Sequence, residues 1–97
     1  MAKKGYWVVC YKSVSNPAGV SEYMKLAGPA LETLGGRVIV AGKPAKTHEA
    51  GVDQSAVIVE FENVEKAIAA YDSEAYKRAL KALGQGAQRD FRIVEGR

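Results

Sequence analysis

Several side chains in this sequence have the types that do chemistry. Arg37, Glu60 and Arg92 are charges set into stretches otherwise rich in valine, isoleucine and aromatic residues. A charge on an apolar face is costly unless it is paired, hydrated or bound to a ligand. The three therefore mark either an ion-pair network at an interface between two facing sheets or a partly wet cavity between those sheets, holding a small, partly apolar ligand, anionic in part, with Trp7 and Tyr11 as walls. Tyr71, Asp72 and Tyr76 crowd one short stretch. Their hydroxyls and carboxylate could form the lip of a pocket, or the stretch could be a helix junction with a cap and aromatic packing. His48 is the only histidine. It could act as a general base near a pocket, although its loop setting favours an exposed side chain.

Other chemistries lack their residues. One histidine cannot make a histidine-rich metal site, so no metal is expected. One cysteine, Cys10, cannot form an internal disulfide and reads as a small strand hydrophobe. Gly84-Gln85-Gly86 precedes a strand rather than a phosphate-cradling helix, and is turn chemistry. No nucleophile elbow or catalytic triad is legible, and no cofactor is expected.

The 97 residues carry a net charge of +3, with 47% hydrophobic and 26% charged residues. That is the composition of a globular chain, expected to form one domain over residues 1–97. No apolar run approaches the ~20 residues that span a bilayer. The apolar stretch Tyr6 to Tyr11 is short and lacks a cleavage site after it, so the expected compartment is the cytoplasm. Lys77, Arg78 and Lys81 cluster where a helix would face water, and read as a solvated face.

Lys4 to Tyr11, "KGYWVVCY", comes near the aromatic signature of RNA-recognition motifs. Trp7 and Val8 depart from it. In those domains the signature lies on the third strand, whereas here it lies on the first. The third strand, "AVIVEFE", carries two carboxylates and no paired stacking aromatics. Nucleic acid is therefore not an expected partner.

The elements that must position these residues follow from periodicity. Residues 5–12, 37–43, 55–62 and 89–96 are rich in β-branched and aromatic types and predict strands. Val20, Tyr23, Met24, Ala27, Leu31 and Leu34 keep a 3.6-residue period and predict a helix over about 18–34, which Gly28-Pro29 should kink or break. Gly35-Gly36 should end it. Asn63 should cap a helix on Val64, Ala67, Ile68 and Tyr71. Asp72 or Ser73 should interrupt it and cap a second, on Tyr76, Ala79, Leu80 and Leu83. Ala45 to Glu49 could hold a short extra strand. The order βαββαβ, with right-handed crossovers, predicts an α+β ferredoxin-like sandwich: a four-stranded antiparallel sheet with helices on one face.

That topology leaves the other face bare. Both alternating residue sets along the strands are largely apolar, unlike a sheet with one wet face. Four strands at ~4.8 Å and five residues at ~3.4 Å give a face on the order of 300 Å². A second copy of the same sheet is the simplest cover, so a homodimer is expected. Arg37, Glu60 and Arg92 are assigned to the set containing Trp7, Val9 and Tyr11.

"GYW", "GGR", "VIVEF" followed by "VEKA", "YDSEAY" and the terminal "RIVEG" together resemble the domain-of-unknown-function 1330 family, from Gly5 to Gly96. The family comprises small bacterial proteins of the dimeric α+β barrel superfamily. The resemblance implies a ferredoxin-like protomer and a dimer with facing sheets. It implies no established reaction. Superfamily relatives include monooxygenases and isomerases that use a cavity beside the sheet, so cofactor-free oxygenation or isomerisation of a small organic substrate is the class that analogy suggests. The alternative is a dimerisation module without catalysis.

Overall fold

The computed structural model describes residues 3–97. Met1 and Ala2, at the start of the expected domain, lie outside the described residues. The elements are β1 (Gly5–Val14), α1 (Pro17–Thr33), β2 (Arg37–Gly42), β3 (Ala56–Phe61), α2 (Val64–Tyr71), α3 (Glu74–Leu83) and β4 (Ala87–Glu95). All strand pairs are antiparallel, in the order β2-β3-β1-β4. This is the expected ferredoxin-like sandwich, with the second crossover split into two helices as the Asp72-Ser73 interruption predicts.

The caps are local chemistry. Asn16 accepts a hydrogen bond from the Gly19 amide at 3.2 Å, with Pro17 at the first helical position. Asn63 accepts from the Lys66 amide at 2.8 Å, and the Ser73 hydroxyl accepts from Tyr76 at 3.2 Å. Gly35 ends α1 at φ 82, and the Gly36 amide reaches back to the Leu31 carbonyl at 2.7 Å.

Two local expectations are corrected: the break, of the kink or break expected at Gly28-Pro29, and the extra strand at Ala45 to Glu49. Gly28-Pro29 does not break α1, which runs through to Thr33. Proline removes one backbone donor, but Tyr23, Ala27, Ala30 and Leu31 are buried on both sides of that point, with α3 as the neighbouring helix, and this burial outweighs the loss. Ala45 to Glu49 forms no strand, and residues 43–55 are irregular. Pro44 opens that segment without an amide donor, and Glu49 sits at a positive φ of 52, which a ladder does not tolerate.

The core lies between the helices and one sheet face. Trp7 is its centre, 1% exposed. Its ring centroid lies 4.8 Å from Tyr76, 5.0 Å from Phe91 and 5.1 Å from Phe61. Its indole N–H donates to the Ala67 carbonyl at 2.8 Å, which ties β1 to α2. No described helix is long and apolar enough to cross a membrane.

Candidate functional site

Register decides which residues share a face. On β1, Trp7 pairs with Val59 and Ile93, Val9 with Val57 and Phe91, and Tyr11 with Arg89. This set faces the helices. Tyr6 pairs with Glu60 and Val94, Val8 with Ile58 and Arg92, and Cys10 with Ala56 and Asp90. This set lies on the bare face. Arg37 pairs with Glu60 and therefore joins it. The expected grouping is thus corrected: Trp7 and Tyr11 are not walls beside Arg37, Glu60 and Arg92, because the two sets occupy opposite faces of the sheet. Alternation within one strand is legible in sequence, but the phase between strands is set by pairing. A bulge adds to the difficulty. Val38 pairs with Val59, yet Val40 pairs with Ile58, leaving Ile39 extra. Val38 and Ala41 consequently share the helix-side face.

The bare-face charges satisfy one another. Arg37 Nη2 lies 3.3 Å from Glu60 Oε1, and the Tyr6 hydroxyl donates to Glu60 Oε2 at 2.9 Å. Arg92 does not join them. It pairs with Asp90, Nε to Oδ1 at 2.9 Å. The Glu60 hydrogen bond holds the Tyr6 phenol above its ordinary value, and Arg92 holds the Asp90 carboxyl below its own. This is the ion-pair alternative, spread over Val8, Val40, Ile58 and Val94.

Beneath α1 the structure opens instead into a cavity of about 170 Å³. Leu31, Ala27 and Tyr23 of α1 form one wall, Val57 and Val59 of β3 with Val38 of β2 another, and Trp7, Val9 and Tyr11 of β1 the floor. Among the described residues, the one charged side chain in the lining is Arg89. Its guanidinium carbon lies 4.9 Å from the Tyr23 ring centroid, 5.4 Å from Phe91 and 5.6 Å from Tyr11, within cation–π range. Arg89 Nη1 donates to the Tyr23 hydroxyl at 3.1 Å, and Tyr23 and Tyr76 share a hydrogen bond of 2.5 Å. Burial pushes the Tyr76 phenol far up, with Tyr23 adding to the shift, and burial also raises Tyr11. Burial works against the charge of Arg89, but the facing oxygens of Tyr23 and Tyr76 more than offset it. The Tyr76 phenol stays neutral and the guanidinium stays charged near neutral pH. The arrangement can hold a small apolar molecule and offer it one cation.

The remaining expected residues lie elsewhere. Tyr71 packs its ring on Phe91 and Tyr76, at 5.0 and 5.4 Å. Asp72 is exposed at the C-terminal cap of α2. Their junction is capping and aromatic packing, and it does not line the cavity. His48 is exposed in the 43–55 loop, at a shallow depression also bordered by Cys10, Lys12 and Asp90. Cys10 is exposed on the bare face. Lys77, Arg78 and Lys81 face water as expected. Among the described residues, no group of three metal-ligating side chains comes together. Arg89 was not among the expected site residues. Its signal was present: in β4 it stands in phase with Phe91 and Ile93, a charge at a position where alternation predicts burial.

One sheet with helices on one face, a paired-charge face opposite and an apolar cavity under the first helix define a ferredoxin-like α+β protein. The chain belongs to the DUF1330 family, a domain of unknown function, whose model matches residues 4–97. No curated protein matches it in sequence. A protein of unknown function from Rhodopseudomonas palustris superposes at TM-score 0.73 with 16% identity, over 100% of this chain and 85% of the other. The cofactor-independent oxygenase SnoaB of Streptomyces nogalater superposes at 0.67 with 13% identity, over 99% and 95%. A dimeric protein of unknown function with a ferredoxin-like fold, from Bacteroides fragilis, superposes at 0.61 with 15% identity, over 96% of each chain. At these identities the likeness establishes the fold.

Proposed function

We propose that this protein is a homodimer of the α+β barrel type whose protomers each bind a small, mainly apolar organic molecule in the cavity beneath α1. The cavity carries the reading. At about 170 Å³ it exceeds the roughly 150 Å³ that takes one benzene ring. Its wall is side chains of Leu, Val, Ala, Tyr and Trp, with one charged residue, the composition of a small-molecule site. The bare face supports the dimer: Val40 and Val94 are each 46% exposed there, and a similar fold from Bacteroides fragilis is described as dimeric. If the bound molecule is transformed, cofactor-independent oxygenation is the class supported by likeness to SnoaB, an argument from fold alone.

Screening small aromatic fragments by saturation-transfer NMR tests the binding site. Val38→Trp should fill the mouth, because Val38 lines the cavity and is 48% exposed. Fragments that bind the wild type and lose binding in this variant support the site. Binding unchanged in Val38→Trp, or no fragment bound by the wild type, sinks it. The alternative, a dimerisation module without a ligand, is favoured by the satisfied Arg37–Glu60–Tyr6 network and predicts the second of those results. Trp7 and Tyr11 are buried under the helices, so of the rings in that stretch the bare face keeps Tyr6, which is tied to Glu60.

A further inference from the structure

We infer that the ligand of this cavity is a compact aromatic monocarboxylate, its ring held between Leu31, Ala27 and Val59 and its carboxylate on the guanidinium of Arg89. The inference rests on the cavity being a ligand site and adds the charge and class of the occupant. Arg89 is partly buried, and no carboxylate among the described residues pairs with it. The other cations on the sheet contrast with it: Arg37 pairs with Glu60 and Arg92 with Asp90, although both are more exposed. Among the described residues, the Arg89 side chain meets neutral groups: the faces of Tyr11, Tyr23 and Phe91 and the hydroxyls of Tyr23 and Tyr76. A guanidinium has five N–H donors in a planar fork. The phenol oxygens hold the guanidinium in its charged form but give it no counter-charge, and the fork matches a carboxylate through two parallel hydrogen bonds. The volume admits about one substituted ring. A single cation in an apolar wall selects one negative charge, because a second would be buried without a partner.

The test uses 4-methylbenzoate and its uncharged isostere 4-methylbenzamide, titrated into the full-length protein at neutral pH and followed by NMR. In the wild type the acid should bind at least about tenfold more tightly than the amide, the order expected of a charge-assisted pair. Arg89→Gln should abolish that preference while leaving amide affinity within about twofold. If Arg89→Gln fails to fold, Arg89→Lys serves: it keeps the charge, loses the fork, and should retain only part of the preference. Equal affinities for acid and amide in the wild type, or a full preference surviving in Arg89→Gln or Arg89→Lys, would overturn the inference and leave the cavity reading standing. Binding of neither probe, with Val38→Trp likewise indifferent, overturns both.

Discussion

Tyr76 shows how a single side chain can hold two roles apart. Its ring packs on Trp7 in the core, and its hydroxyl meets Tyr23, which meets Arg89 at the cavity. The phenol is raised by burial and then by Tyr23. A phenol whose folded-state value lies above its unfolded one stabilises fully below the unfolded value and loses that contribution as pH rises. Stability should therefore hold to about pH 10 and fall above it. Urea midpoints measured between about pH 9 and 11.5 should drop more steeply for the wild type than for Tyr76→Phe. Equal slopes would mean that Tyr76 ionises in the native state. Trp7 offers a plainer test. It is 1% exposed, contacts four aromatic rings and donates to Ala67. Trp7→Ala should cost about 3–5 kcal/mol in chemical denaturation, as large-to-small core changes of this kind do. A loss under about 1 kcal/mol would place the indole outside the cooperative core.

At the scale of elements, β1 is the spine, paired on both sides and crossed by α2. Its first residue is a glycine for a steric reason. A Cβ on Gly5 would stand 2.5 Å from the Asn63 carbonyl oxygen and 2.7 Å from Val64 Cα. Those are backbone atoms at the start of α2, with little room to yield. Gly5→Ala should cost about 1–3 kcal/mol, the usual range for overpacking, read as a lowered urea midpoint. Gly28 is the contrasting case. It sits inside α1, where glycine is a poor helix former, and a Cβ there meets nothing within 4 Å. Gly28→Ala should raise stability by about 0.5–1 kcal/mol. It also lies at the cavity, so the same variant measured against 4-methylbenzoate shows whether the open space beside α1 is an entry route. Weaker binding in a more stable protein would say that it is.

At the scale of the whole molecule, the question is what covers the bare face. Ile58 sits near its middle, paired with Val8 on one side and Val40 on the other. Its row, Val40–Ile58–Val8–Arg92, is apolar over three of four strands. Light scattering across a dilution series should give the mass of a dimer for the wild type and of a monomer for Ile58→Lys, since a lysine at the centre of facing sheets would be buried without a partner. A wild type that is monomeric at all concentrations would remove the facing-sheet dimer. The surface ion pairs around this row should matter little to protomer stability, because exposed pairs are typically worth about 0–1 kcal/mol. Their place at the rim fits partner orientation better than folding energy.

The sequence by itself determined the elements and their order. Asn16, Asn63 and Ser73 announced three helix starts, Gly35 an end, and β-branched runs the four strands. These are local signals, set by neighbours within about four residues. The family was legible for the same reason, through short runs spread from Gly5 to Gly96. Pro29 did not break α1, because burial of the helix on both sides of it overrode a local penalty. Only the tertiary structure decided the site. Which face Trp7 shares with which charges depends on register between strands far apart in sequence, and on a bulge at Ile39 that no residue type announces. Pairing placed Arg37, Glu60 and Arg92 on one side, with partners, and Arg89 on the other, beneath α1, without a counter-charge. The residue proposed to define the ligand is therefore a charge in phase with Phe91 and Ile93, and only the pairing of β4 with β1 placed it beneath α1, partly buried.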